Sequence, residues 1–473
     1  MNHGRPAGVG SLAVVLHSHM PYVEGFGTYP FGEEWLFDAV IRSYAPVCEI
    51  AERLTMTVTP VLADQLEAAG VAERLEEFLM RFRIDSCAAD LDELEPPYRA
   101  ACRAEAHRYR AALDRVLASD GDLVELFAVP ARAGRIELVA STATHAVLPL
   151  LATVAGRRLQ VHEGLRSHGR RFGRSAGFWL PECAYAPGLE RLLAERGLAY
   201  FCTDQSAHEP PLAALTPVAT DAGPVAFAID WESVSWVWSL DGYPSDPVYA
   251  DFHRRSLRGT RPWAIGGGPY EPEAAAARAR QQGAEFARAV ASRLDRFAEE
   301  HGRRGLIVFA IDTELLGHWW WEGPDWLAEV LRVAPEHGVD LVTLGEALER
   351  HPAEPRPLAA SSWGEGKDLR TWDSPEVADL AWAARRLELR VLRALRAGVA
   401  HAALERAARE LLAVQASDWA FLDRRRQAGD YPWQRATDHA RSLLEAIHSG
   451  ADPPDSRLRD LAPDLSLTPL LEP

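Results

Sequence analysis

Eight short runs of apolar residues, most of them followed by a helical pattern, recur along the first 350 residues of this chain. The runs are continuous and do not alternate with polar residues, which is typical of strands buried on both faces of a parallel sheet. Seven or eight strand–helix units favour a closed or nearly closed barrel over an open doubly wound sheet. The predicted strands cover residues 12–17, 56–61, 135–141, 177–182, 199–204, 224–229, 305–312 and 339–344.

Two regions interrupt this alternation. Residues 63–134 are charged and helical in period, and residues 374–450 are helical throughout. A proline-rich segment, residues 351–357, precedes the second region. We therefore predict an α/β protein in three parts: a barrel domain over 1–62 and 135–350, a helical insertion over 63–134, and a C-terminal helical domain over 351–473 that ends in a surface tail.

The net charge, the cysteine spacing and the length of the first apolar run limit the partners and the cellular location that the chain can have. A formal net charge of −17 repels nucleic-acid backbones and anionic membranes. The five cysteines are scattered and never spaced as C-x-x-C, which favours a reducing compartment without a disulfide framework. The first apolar run stops at His17, which is too short for a signal peptide or a membrane span. We expect a cytoplasmic protein, a monomer or small homo-oligomer.

Carboxylates and imidazoles follow the predicted strands where each strand ends. In a parallel barrel the catalytic residues lie at these carboxyl ends. Random core placement rarely gives such a set. The candidates are His17, His19, His145, Glu182, Asp204, Asp312, Glu314 and His318.

Three chemistries could use these residues. His17, His19 and Asp312 could bind a divalent metal, but the chain lacks the H-E-x-x-H motif. A serine nucleophile lacks its G-x-S-x-G turn, and Cys183 is better explained as structural. Glycoside chemistry needs two carboxylates across a sugar carbon together with stacking aromatic rings. Glu182, Asp312 and fifteen tryptophans fit this third chemistry best.

Several motifs occur in order along nearly the whole chain and carry a family resemblance. They are "LHSHMPYV", "IELVASTATHAVLPLL", "GFWLPECAY", "YFCTDQ", "FAIDTELLGHWWWEGPDWL", "SSWGEGKDLRTWDSP" and "QASDWAFL". Together they resemble the 1,4-α-glucan branching enzymes of glycoside hydrolase family 57. The resemblance implies an incomplete (β/α)7 barrel with a helical insertion and a C-terminal helical domain. It also implies that α-1,4 linkages are cleaved and the chain is transferred to a 6-hydroxyl.

The same resemblance implies roles for individual residues. Glu182 would be the nucleophile of a retaining mechanism, and Asp312 the general acid/base. His17 and His145 would hold the sugar, while His19 supports the site from behind. No metal or organic cofactor is implied. Further substrate contacts are expected from Asp204, His318 and the groove tryptophans Trp35, Trp363, Trp372 and Trp419.

A loop over residues 237–272 resembles the family's loop above the active site, although it looks shortened. That loop carries a tyrosine that shields the glycosyl-enzyme from water, and Tyr243 is the candidate here. A retaining pair is expected to lie roughly 5–5.5 Å apart. We expect the pKa of Asp312 to be raised by the Glu182 charge and by burial against residues 319–321, while His17 or His145 helps to keep Glu182 ionised.

Other functions stay open at this point. Within the same family the chain could be an amylase or a 4-α-glucanotransferase. A metal-dependent carbohydrate deacetylase would also place His and Asp at the strand ends of a seven-unit barrel. A non-catalytic glucan-binding protein would keep the groove but has no need of both Glu182 and Asp312.

Overall fold

The computed structural model of the chain describes residues 8–28, 31–209, 215–449 and 461–472. All eight predicted strand regions contain or overlap an observed strand, and two further strands, β6 and β10, are only two residues long. The strands are β1 Gly10–Ser18, β2 Leu54–Val58, β3 Ile136–Val139, β4 Gly177–Phe178, β5 Tyr200–Thr203, β6 Val218–Ala219, β7 Val225–Ala228, β8 Gly305–Asp312, β9 Val339–Leu341 and β10 Glu354–Pro355.

The first sheet has the strand order β3-β2-β1-β8 and is parallel, with β9 beside the amino-terminal half of β1. Every residue of β1 is buried, as the continuous apolar run predicts. The register pairs His17 of β1 with Thr57 of β2 and with Asp312 of β8. Paired residues of neighbouring strands point to the same side, so the His17 and Asp312 side chains share one face of the sheet.

The second sheet has the strand order β10-β6-β7-β5-β4, in which β6 runs antiparallel to β7 and the other pairs are parallel. A parallel bridge from Ala140 to Phe178 connects the end of β3 to β4. The Asp230 N–H, just beyond β7, donates to the Val308 carbonyl of β8 at 2.9 Å. Both edges of the first sheet therefore contact the second sheet.

Helices are the other main regular element, and two clusters of them stand apart from the strand–helix alternation. One cluster, α3–α7, lies between β2 and β3, and the other, α14–α17, follows β10. The helices are α1 Glu33–Ala39, α2 Ala45–Ile50, α3 Pro60–Leu66, α4 Val71–Leu79, α5 Asp85–Glu93, α6 Arg99–Ala118, α7 Glu125–Arg132, α8 Val154–Phe172, α9 Leu189–Glu195, α10 Trp231–Trp238, α11 Pro272–His301, α12 Gly323–Val333, α13 Leu344–Arg350, α14 Ala378–Arg396, α15 His401–Val414, α16 Asp418–Arg425 and α17 Tyr431–Ser449.

The prediction of a surface tail needs correction for residues 461–472. Four leucines in this stretch are buried, and the short helical turn Thr468–Leu470 packs on α8. These leucines are irregularly spaced and lie among the prolines Pro463 and Pro469, so the sequence shows no helical or strand period here. Residues 450–460 lie outside the described part of the chain. Among the described helices, none is long and apolar enough to cross a bilayer.

The close packing of α8 against the chain after β3 generates a stability prediction. A Cβ atom at Gly164 would lie 1.9 Å from the Ser141 carbonyl oxygen, whereas a Cβ at Gly169 of the same helix would meet nothing within 4 Å. We expect Gly164→Ala to lower the free energy of unfolding by about 1–3 kcal/mol, because the helix must shift. Gly169→Ala should raise it by about 0.5–1 kcal/mol. Urea unfolding of both variants checks this, and equal effects would contradict it.

Candidate active site

Glu182 lies in the turn that follows β4, and two side chains from distant parts of the sequence bind its carboxylate. The indole Nε1–H of Trp363 donates to Oε2 at 2.9 Å, and the Ser417 hydroxyl donates to Oε1 at 2.8 Å. The backbone N–H of Trp363 also donates to the Glu182 carbonyl oxygen, at 3.0 Å. Glu182 itself has φ of +60°, a conformation that costs about 1–3 kcal/mol and is concentrated at functional sites.

Three imidazole rings with nearly parallel planes cluster beside this carboxylate. Their ring centroids form a triangle, with His145 4.8 Å from His17 and 4.1 Å from His19, and His17 6.0 Å from His19. His17 and His145 meet edge to edge through a 2.9 Å hydrogen bond between their Nε2 atoms, and His145 Nδ1 bonds the Ser417 hydroxyl at 2.8 Å. His17 also stacks on the buried indole of Trp179, at 4.8 Å between ring centroids. The rings therefore have fixed positions.

The three histidines differ in charge. Burial and the neighbouring His19 hold the pKa values of His17 and His145 well below the ordinary value, so both are neutral. Burial also opposes the charge on His19, but Asp418, together with Glu314 and Glu182, outweighs it and raises the pKa of His19. His19 Nε2 lies 2.9 Å from Asp418 Oδ1, and its Nδ1 lies 3.1 Å from the Thr59 hydroxyl. Of the three rings, His19, which is next to α16, is therefore the one whose charged form is favoured.

Asp312 ends β8 and shares its face of the sheet with His17. Its pKa lies well above the ordinary value, because of burial and because of the nearby charges of Glu314 and Glu182. The predicted direction and the predicted causes, burial and the Glu182 charge, are confirmed, but the prediction did not include Glu314, which acts more strongly than Glu182. Trp320 and Trp321 are buried, whereas Trp319 is half exposed and packs at a tilt on Phe252, so burial of Asp312 against residues 319–321 stays a prediction. The raised pKa favours the neutral acid form of Asp312.

The pKa of Glu182 is also raised, by burial, and the Trp363 and Ser417 hydrogen bonds oppose that increase. The donors expected from the sequence were His17 and His145, so this part of the prediction is wrong. His145 Nδ1 is 3.6 Å from Oε1, and its hydrogen bond goes to Ser417 instead. The carboxylate therefore depends on Ser417 from the C-terminal helices and on Trp363 from the segment before them.

Glu314, two residues beyond Asp312, holds the surrounding backbone. Its Oε1 accepts a bond from the His19 backbone N–H at 3.0 Å and a short bond from the Tyr44 hydroxyl. The Ser43 hydroxyl donates to the carbonyl of Thr313 at 2.7 Å. Glu314 thus joins the ends of β1 and β8 and brings a second carboxylate to Asp312.

Of the four tryptophans predicted to line the groove, two are partly exposed and two are buried. Trp363 contacts Glu182, and Trp35 is partly buried against Phe31 and Tyr431. Trp372 and Trp419 are 3% and 2% exposed, so they are core residues instead of open groove walls. Helices α14 and α17 cover them, and both line an apolar cavity of about 180 Å³ beside Ser417.

Asp204 and His318 have partners within the protein. Asp204 is fully buried, and its Oδ2 accepts bonds from Lys367 Nζ at 2.9 Å and from the Trp231 indole. Burial and the neighbouring arginines lower the pKa of His318 to about 3, and its backbone carbonyl accepts a bond from Arg261. Their predicted contacts with sugar remain predictions.

Tyr243 gains no support as the shielding tyrosine. Its ring packs between Trp236 and Trp326, and Trp326 contacts Phe309 of β8. Phe309 lies three residues before Asp312, so the two side chains point to opposite faces of the strand. Tyr243 therefore lies in the helical layer behind β8, on the side away from the Asp312 carboxyl.

The arrangement of side chains also gives no support to the metal site considered at His17, His19 and Asp312. Within the described ranges, no three His, Cys, Asp or Glu side chains form a group that could hold a metal ion. His17 and His19 are instead engaged with His145, Thr59 and Asp418.

Three residues of the site were not predicted from the sequence: Ser417, Asp418 and Trp179. The first two stand in the "QASDWAFL" motif, which drew attention only through its tryptophan. Trp179 stands in the "GFWLPECAY" motif, three residues before Glu182. In "QASDWAFL" the residues that contact the site are the small polar ones, Ser417 and Asp418. Only the fold shows that they bond Glu182 and His19.

The chain is similar to known proteins over nearly its whole length. Residues 13–357 match the family model described as Glycosyl hydrolase family 57, and residues 379–465 match that of the 1,4-alpha-glucan branching enzyme C-terminal region. The chain is 33% identical to a 1,4-alpha-glucan branching enzyme of Thermococcus kodakarensis, over 92% of this chain and 73% of that protein.

Solved structures show the same likeness. A GH57-type branching enzyme from Pyrococcus horikoshii superimposes with a TM-score of 0.92 at 31% identity, over 98% of this chain and 97% of that one. The Thermococcus enzyme in complex with glucose gives 0.89 at 30%, over 98% and 96%. The α-amylase AmyC from Thermotoga maritima gives 0.83 at 25%, over 93% of each chain.

The ion pair between His19 and Asp418 predicts a pH-dependent stability. Because the pKa of His19 is raised on folding, its charge stabilises the protein fully below about pH 6.5, and this contribution is lost as pH rises through the folded-state pKa. Asp418→Asn should therefore lower the melting temperature more at about pH 6 than at about pH 9. Thermal unfolding checks this, with the His19→Gln/Asp418→Asn double variant as control. An equal loss at both pH values would contradict it.

Proposed function

The chain belongs to glycosyl hydrolase family 57 and is a 1,4-α-glucan branching enzyme of that family, and we propose that Glu182 and Asp312 are its catalytic pair. The observation that carries the assignment is the difference between the two carboxyl groups. Two donors stabilise the charged form of Glu182, whereas burial and the charges of Glu314 and Glu182 raise the pKa of Asp312 and favour its neutral form. A retaining glycosidase needs one ionised nucleophile and one protonated acid.

In the first step the Glu182 carboxylate attacks the anomeric carbon of an α-1,4-linked glucose unit. Asp312 gives its proton to the departing 4-oxygen, so the glycosidic bond breaks as the glycosyl ester forms. Neutral His17 and His145 line the same face and would bind the sugar hydroxyls without placing a positive charge beside the reacting carbon. A spacing of roughly 5–5.5 Å between the two carboxyl groups is part of the proposal.

In the second step the 6-hydroxyl of an acceptor glucan attacks the ester. Asp312, now ionised, takes the hydroxyl proton, and Glu182 leaves as the carboxylate. The products are an α-1,6 branch and the regenerated pair. If water takes the place of the acceptor, the same steps give hydrolysis. The proposed chemistry uses only side chains of this chain.

We further propose that β1, β2, β3, β4, β5, β7 and β8 form an incomplete (β/α)7 barrel. The parallel bridge from Ala140 to Phe178 and the bond from Asp230 to Val308 support it, since they link the two sheets at both edges. In this arrangement residues 63–134 are an inserted helical domain and residues 351–473 a C-terminal one. A cytoplasmic location is proposed from the five unpaired, buried cysteines. A monomer or small homo-oligomer remains a prediction.

Incubation with amylose tests the branching activity. The products are treated with a debranching enzyme, and the chain lengths before and after are compared. New α-1,6 branch points with few new reducing ends are expected. The likeness to the Thermotoga α-amylase makes hydrolysis the second candidate. Reducing ends that rise without new branch points would establish an amylase and overturn branching.

The nucleophile assignment predicts the behaviour of Glu182→Gln. The amide keeps the size of the side chain but cannot form the glycosyl ester, so transfer and hydrolysis should both fall by several orders of magnitude. Circular dichroism and thermal unfolding should show a retained fold. Activity within a few-fold of the wild-type enzyme would remove Glu182 from this role.

The raised pKa of Asp312 predicts the basic limb of the pH–rate profile. Activity requires protonated Asp312, so kcat/KM should fall as pH rises through its pKa. Glu314→Gln removes the charge that raises this pKa most, so the basic limb should move to lower pH. Asp325→Asn, which removes a carboxylate from α12, is the matched control and should leave the limb in place. A limb that stays fixed or moves upward in Glu314→Gln would contradict the assignment.

A further inference from the structure

The segment that carries Trp363 is a tight loop between β10 and α14, and backbone bonds fix its base. Ser361 and Tyr185 exchange backbone hydrogen bonds of 2.9 and 3.1 Å. The Trp363 N–H bonds the Glu182 carbonyl, so the base of the loop rests on the turn of the proposed nucleophile.

Two side-chain contacts hold the tip of this loop: an exposed pair of Glu365 with Arg424 of α16, and a contact of Lys367 with a buried carboxylate. Lys367 Nζ donates to Asp204 Oδ2 at 2.9 Å and lies 3.1 Å from the centroid of the Trp231 ring. Trp231 Nε1–H donates to the same Asp204 oxygen. Asp204 is fully buried, so the ammonium compensates a carboxylate that has no contact with solvent. We call Lys367, Asp204 and Trp231 the latch.

The latch is continuous with the Trp363 contact. The Lys367 N–H donates to the Gly364 carbonyl at 3.0 Å, and the Ser362 N–H donates to the Lys367 carbonyl at 3.1 Å. Lys367 itself has φ of +58°, a strained conformation for a residue with a side chain. The latch and these two backbone bonds hold Lys367 in that conformation, four residues from Trp363.

The sequence supports a specific need for this side chain. Lysine and arginine together number 51, and Lys367 is the only lysine among them. An ammonium is a compact charge that fits above the centre of an indole, whereas a guanidinium is broad and planar. In a chain that uses arginine at every other basic position, the one lysine stands where the compact charge fits.

We propose that Lys367 is a positioning residue, which holds the loop so that Trp363 keeps its hydrogen bond to the Glu182 carboxylate. It acts through Trp363 and does not touch the reacting atoms. The inference rests on the proposed function only in taking Glu182 as the nucleophile.

A double-mutant cycle tests the connection. Lys367→Met and Trp363→Phe should each lower kcat about tenfold or more, with smaller changes in KM, because a displaced catalytic group slows the chemical step. If Lys367 acts through Trp363, Lys367→Met should cost little further activity in the Trp363→Phe background. Arg370→Met is the matched control, since Arg370 pairs only with exposed Asp368 in the same loop. Additive effects, or a Lys367→Met enzyme as active as the control, would overturn the proposal.

The pH dependence of kcat/KM distinguishes a positioning role from a loss of stability, because a loss of stability alone does not change the pKa of Glu182. Trp363 lowers the pKa of Glu182, so Lys367→Met should shift the acid limb of kcat/KM to higher pH. The other groups facing Glu182 are His145, His19, Asp418 and Asp312, and none of them is altered. An unshifted acid limb would count against the proposal.

Isotope labelling tests the latch without any activity. Protein grown with ¹³C-labelled lysine carries one labelled side chain, and its ε-methylene protons should resonate upfield of free lysine because they lie over the Trp231 ring. Trp231→Phe should reduce that shift. A signal at the free-lysine position in the wild-type protein would overturn the latch. These results stand even if amylose gives no branches, and the activity cycle can then be read from hydrolysis.

Discussion

The site depends on the two hydrogen bonds that the Glu182 carboxylate accepts from Ser417 and Trp363. A buried carboxylate is costly unless it is hydrogen-bonded, and burial raises the pKa of this one. Neither donor comes from the strands. Ser417 immediately precedes α16, and Trp363 comes from the loop after β10. The C-terminal region is therefore part of the candidate active site, and the strands alone would leave the carboxylate of the proposed nucleophile without these hydrogen bonds.

The three imidazole rings obey the same electrostatic constraint. Rings this close in a buried site cannot all be positively charged, since the charges repel one another. Asp418, which bonds His19, does most to favour the charge on that ring. His17 and His145 remain neutral next to the carboxyl pair. The proposed transition state carries positive charge on the sugar, and neutral rings bind it without opposing that charge.

The strands could be predicted from the sequence because they depend on local patterns. Continuous apolar runs marked them, and the proposed pair, Glu182 and Asp312, stood at the ends of two predicted strands. The Ser417 contact could not be predicted in this way, because 235 residues separate it from Glu182. The burial of Trp372 and Trp419 could not be predicted for a related reason. The family resemblance placed both in the groove, but α14 and α17, which come from other parts of the sequence, cover their indoles.

The two donors also bear on how the proposed intermediate would break down. When Glu182 carries the sugar, one oxygen becomes the ester oxygen and the other the ester carbonyl. Ser417 and Trp363 bond different oxygens, so whichever oxygen attacks, one donor stays on the carbonyl. In the second step negative charge returns to the carboxyl group, and both donors stabilise the leaving carboxylate. The hydrogen bonds that keep Glu182 ionised for attack therefore also make it a good leaving group, and one fixed arrangement serves both halves of the transfer.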